Sequence, residues 1–223
     1  MSDDSFIREV EEELRSDRLR NLWERFGILI IAAAVAVVLV TAGYQGYNYY
    51  TQNRASASGD RFLAALNDAR EGDTEAALSA LQALEREGHG AYPVLARMRA
   101  ATLLQQQGDA DGAVAAFDAV AAETSAPDVI RDMARLRAAY ILLDTGGRAD
   151  VAQRAEPLAA DNNPVRHSAR EVLGLAAWKE GRLSDARILF QQIVDDTAAP
   201  RNIVQRASMM LELITASGGV AEG

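Results

Sequence analysis

The sequence predicts an all-α protein: a single N-terminal transmembrane helix followed by a helical-repeat (α-solenoid) domain. Three observations lead there. Residues 26–44 read FGILIIAAAVAVVLVTAGY without one charge. Pro93, Pro127, Pro164 and Pro200 recur at intervals of 34, 37 and 36 residues. Gly72, Gly108, Gly147 and Gly181 alternate with them at intervals of 36, 39 and 34. The expected organisation is a cytoplasmic amphipathic tail at 1–25, a transmembrane helix at 26–50, a linker at 51–58, the repeat domain at 59–216 and a disordered tail at 217–223.

At about 1.5 Å per residue, the nineteen uncharged residues Phe26–Tyr44 come close to the roughly 30 Å of hydrocarbon in a bilayer. Trp23 precedes the apolar run and Tyr44, Tyr47, Tyr49 and Tyr50 follow it, where amphipathic rings would meet the two interfaces. A cleaved signal peptide fits poorly, because the segment before the run is long and acidic rather than short and basic. Arginine and lysine set orientation. Arg8, Arg15, Arg18, Arg20 and Arg25 lie before the span, against Arg54 and Arg61 in the twenty residues after it. This bias predicts a cytoplasmic N-terminus and a large domain outside. Within the tail, Phe6, Ile7, Val10 and Leu14 share one helical face, and Glu11 and Arg15 are spaced for an i,i+4 pair.

The repeat domain follows from how its punctuation falls. Each proline opens an apolar-periodic segment, where its fixed φ suits a first helical turn. Each glycine is placed for the left-handed cap that ends one helix before the next. Five residues after the glycines come Ala77, Ala113, Ala152 and Ala186, and four further on Leu81, Phe117, Glu156 and Phe190. A small residue lets two helices approach, and a large one a turn later fills the space beside it. Twelve residues before the alanines stand Ala65, Ala101, Tyr140 and Gly174, three of them small. The third unit departs twice, with Tyr140 in the small position and Glu156-Pro157 inside its second helix, which the proline should shorten or kink. The last segment, 200–216, puts Ile203, Ala207, Met210, Leu211 and Ile214 on one face and Gln205, Ser208 and Glu212 on the other, as a solvating cap would.

Composition removes several function classes. The net charge of −9 argues against nucleic-acid binding, which needs a clustered basic surface. With no cysteine, thiolate catalysis, disulfides and Cys-type metal sites are excluded. His89 and His167 stand alone, without the paired spacing of a metal site. Gly146-Gly147 lacks the Gly-Lys-Ser/Thr of a phosphate loop, and no G-x-S-x-G elbow occurs. Asp109, Asp111, Asp195 and Asp196 fall in turns or first helical turns, where carboxylates favour helix N-termini. The expectation is a non-enzyme with no catalytic residue, metal, cofactor or small-molecule substrate.

The small–Gly–Ala–Phe–Pro order resembles the tetratricopeptide family, a 34-residue helix–turn–helix unit. Gly174, Gly181, Ala186, Phe190 and Pro200 carry it best, and Gly108, Ala113, Phe117 and Pro127 carry it next. The resemblance implies that first helices of successive pairs line a concave groove. Register then places Met98, Thr102 and Gln105 there from one pair, Arg137, Ile141 and Asp144 from the next, and Glu171, Leu175 and Trp178 from the last. Gln153 and Arg187 are outward positions. Trp178 is the expected hot spot for a bound protein segment; the competing expectation is a compact bundle that fills its own groove. The tail FIREVEEELRSDRLRNLWERFG, one span and Ala-rich pairs together are similar to the YfgM-like family, ancillary subunits of the bacterial Sec translocon. That similarity implies a single-pass protein of the bacterial inner membrane with a periplasmic domain. Its implied partners are translocon subunits, periplasmic chaperones or secreted clients. The alternative is a structural adaptor of another envelope complex, in cell division or wall assembly.

Overall fold

The computed structural model describes the backbone of residues 3–218 and the side chains of 26–29 and 31–218. The amphipathic face of the tail, the Glu11–Arg15 pair, Trp23 and residues 219–223 lie outside the described residues. Nine α-helices make up the described chain: α1 Asp3–Glu71, α2 Thr74–Glu87, α3 Tyr92–Gln106, α4 Ala110–Ala122, α5 Asp128–Thr145, α6 Arg148–Ala155, α7 Arg166–Lys179, α8 Leu183–Val194 and α9 Arg201–Ala216. A single 3₁₀ turn, Glu156–Leu158, follows α6. The chain divides into two compact units, residues 1–54 and residues 55–223.

In the first unit α1 carries the apolar run. Among the described residues it is the one helix long and apolar enough to cross a membrane. Its side chains are uncovered by protein: Ile28, Val35, Leu39 and Val40 are exposed, as are Tyr44, Tyr47, Tyr49 and Tyr50. Polar groups within it are satisfied locally. Thr41 Oγ1 donates to the Val37 carbonyl at 2.7 Å, and Thr51 Oγ1 to the Tyr47 carbonyl at 3.0 Å. The Arg54 guanidinium lies 4.5 Å from the Tyr50 ring centroid.

The second unit is a stack in which each helix packs on its neighbour in sequence, while α5 also touches α7 and α7 touches α9. Four apolar clusters lie in a row, one per pair of helices and the helix that follows. The expected exchange of small for large residues is their common feature. Ala65, Ala77, Leu81, Ala101, Ala113, Phe117, Ala186 and Phe190 are all fully buried. At Gly174 the approach within a pair is tight: a Cβ there would stand 2.9 Å from Cζ of Phe190. Gly72, Gly108 and Gly181 take left-handed φ of 91°, 86° and 76° and end α1, α3 and α7 as expected.

Two expectations need correction. Gly147 is extended, with φ −96°, because this turn contains two glycines; Gly146 N–H bonds the Leu142 carbonyl and Gly147 N–H the Asp150 carboxylate. Residues 51–58 are helical, inside α1, rather than a break in it. Their small side chains seat the α2–α3 turn: Ser58 Oγ accepts the His89 N–H at 3.0 Å, and a Cβ on Gly59 would meet the Tyr92 hydroxyl at 2.7 Å. Tyr140, at the position where the third unit departs from a small residue, is partly buried against the α5–α6–α7 cluster, and its counterpart Glu156 is exposed in the 3₁₀ turn. Pro157 shortens α6 to eight residues, as expected.

Replacing Phe117 or Phe190 by Ala should cost about 3–5 kcal/mol in denaturant unfolding of the detergent-solubilised chain. Gly174→Ala should cost about 1–3 kcal/mol, because a ring held on all sides must shift. A neutral Gly174→Ala would disprove the close approach.

Candidate functional site

The first helices of the pairs, α3, α5, α7 and α9, present equivalent positions at near-constant spacing: Thr102, Arg137, Glu171 and Arg206. The structure joins them in twos. Arg137 Nη1 donates to Thr102 Oγ1 at 3.5 Å, while its guanidinium lies 6.0 Å from the Phe117 ring centroid. Arg206 grips Glu171 with Nε at 2.5 Å and Nη2 at 2.8 Å. Tyr140 reaches across from α5 and donates its phenol proton to Glu171 Oε2 at 3.0 Å. A carboxylate 3% exposed is stable only with such partners, and here it has three donors.

Of the nine residues expected to line the groove, the structure buries two. Ile141 packs on Phe117 and Ala134, and Glu171 is enclosed by Tyr140 and Arg206. Met98 and Leu175 are half-buried against the cores beneath them. Gln105, Arg137, Asp144 and Trp178 remain exposed. The first helices are therefore joined at the level of Glu171, and two turns further on Asp144 and Trp178 are exposed. Tyr140, Lys179 and Arg206 were absent from the expected set. Lys179 Nζ crosses to the Leu143 carbonyl at 2.7 Å and the Asp144 carbonyl at 3.3 Å, a cation on the C-terminal end of α5. Each of these contacts spans about one repeat in sequence, and that spacing was the available signal.

A second polar centre joins the other ends of α7 and α8. Asp196 accepts from Arg166 Nη2 at 2.8 Å and lies 2.7 Å from Nε2 of the buried His167. The His167 hydrogen bond, then the Ala198 backbone N–H and Arg166, hold its carboxyl far below the usual carboxylate range. Burial pushes the Tyr140 phenol well above its ordinary value, and the charge and hydrogen bond of Glu171 add to this. Among the described residues, no three His, Asp or Glu side chains converge as metal ligands would.

A stack of helix pairs with a row of side chains along its first helices is the architecture of a helical-repeat protein-interaction scaffold. The sequence matches the tetratricopeptide repeat-like domain family over residues 20–212, and the chain belongs to that family. Domains of this kind are typically non-catalytic adaptors. No curated relative matches the chain.

Both centres predict a pH dependence of thermal stability. A phenol raised in the folded state contributes stability that is full below about pH 10 and lost as pH climbs towards its folded value. Tyr140→Phe should therefore flatten the alkaline limb of a melting-temperature profile. A carboxyl lowered in the folded state contributes above about pH 4 and is lost as pH falls towards its folded value. Asp196→Asn should lower the melting temperature at pH 7 and narrow the gap from wild type as pH drops towards 2.

Proposed function

We propose that this chain is a membrane-anchored periplasmic scaffold that binds other proteins through the open part of its first-helix row, as an ancillary subunit of the Sec translocon linking the channel to periplasmic chaperones. The single observation that carries the binding reading is Trp178. It is a large ring 43% exposed on a first helix, in a domain whose other aromatic side chains are buried in its cores or partly buried against them. An exposed tryptophan between fixed polar neighbours is the composition of a binding hot spot. Anchorage is supported by the uncovered apolar stretch of α1 and its following tyrosines, and orientation by the arginine bias. The link to the secretion channel rests on similarity of the tail, span and repeats to the YfgM-like family. A scaffold of cell division or wall assembly would share the fold, and the proteins captured separate the two readings.

Photo-crosslinkers at Asp144 and Trp178 should capture translocon subunits or chaperones in intact cells, with Gln82 and Gln153, exposed on α2 and α6, as controls. Equal yields from both sets would reject the groove. Capture of wall-synthesis proteins instead would move the chain to the alternative complex. Protease added to spheroplasts should digest residues 59–216 and spare the tail; the opposite pattern would reverse the topology and remove the periplasmic reading.

A further inference from the structure

One cleft in the repeat unit lies away from the first-helix row. It lies between α8 and α9, has a volume of about 920 Å³, and is lined by Arg187, Ile188, Gln191 and Asp195 from α8 and by Leu211 and Glu212 from α9. Ile188, in the cleft, is more than half exposed.

We infer that this cleft is a self-association surface, closed by α8 of a second copy of the chain lying antiparallel across a two-fold axis. The charge pattern names the occupant. Arg187 and Asp195 stand four residues either side of Gln191 on one stripe, and Asp195 keeps helical backbone angles at the end of α8. Two such stripes laid antiparallel about Gln191 bring each Arg187 to the partner's Asp195 and the two Gln191 amides together. A parallel arrangement would set like charges opposite. In the single chain these groups make exposed local bonds, Arg187 to Thr215 Oγ1 at 3.3 Å and Gln191 to Asp195 Oδ1 at 2.8 Å. Those bonds leave further guanidinium donors and a second carboxylate oxygen for a partner. The buried centre of the interface is Ile188 with Leu211.

The chain contains no cysteine, so single-cysteine variants report contact directly. Full-length Gln191→Cys, oxidised in membranes, should give a disulfide-linked homodimer, and Gln153→Cys on α6 should not. In the Gln191→Cys background, Arg187→Asp or Asp195→Arg should each lower dimer yield about tenfold by placing like charges opposite, and the double exchange should restore it. Circular dichroism should stay unchanged, since both side chains are on the surface. Absence of the homodimer, yield indifferent to the single exchanges, or failure of the double exchange to restore it would overturn the inference. A disulfide-independent crosslink from this cleft to a different protein would also overturn it, giving the slot to a heterologous helix. The outcome is independent of what binds at Trp178.

Discussion

How closely two helices of a pair approach decides everything else in the repeat unit. A bare backbone at Gly174 against the Phe190 ring, or an alanine at 65, 77, 101, 113 and 186, lets the axes come near enough for one large side chain to fill the gap. Because that contact sits inside each pair and is repeated along the chain, the core is a row of small clusters rather than one centre. Stability then accumulates by neighbours, as in other stacked arrays. The same spacing brings equivalent positions of successive first helices within reach, which is why contacts one repeat apart, such as Glu171 to Arg206, can form at all.

These polar contacts divide the concave side into a closed part and an open part. Where Glu171 holds Tyr140 and Arg206, α5, α7 and α9 are drawn together and no segment can enter. Two turns further on, the helix ends are held by Lys179 on the carbonyls of α5, while Trp178 stays uncovered. One height of the first-helix row is thus filled by the chain's own side chains, while Asp144 and Trp178 are exposed at another.

Much of this was legible in the residues. Proline, glycine, alanine and phenylalanine at regular spacing yielded the pairs, their turns and the buried rings, because each residue type has one mechanical use there. Partner choice within the first-helix row was less legible. Ile141 and Glu171 share the register of true groove positions, and only the reach of Tyr140 and Arg206 from other helices shows that they are enclosed. Residues 51–58 read as a linker because they are small and polar. Yet Ala55, Ser58, Phe62, Ala65 and Ala69 already follow helical spacing, and their size reflects the turn packed on them. Gly147 misled for a local reason, since Asp150 caps the turn without any left-handed residue.

The break at Pro157 has a consequence for how the array opens. With α6 cut to eight residues, the loop after it is tied down by polar staples: Arg170 to the Ala159 carbonyl and Asp161, and Asn163 to Asp132 at 2.9 Å. These staples supplement an apolar cluster that α5, α6 and α7 share through Leu136, Ala139, Val151, Ala155, Val172 and Ala176, so the cut in α6 leaves no gap in the core. Opening the array therefore has to break that shared cluster rather than follow the shortened helix.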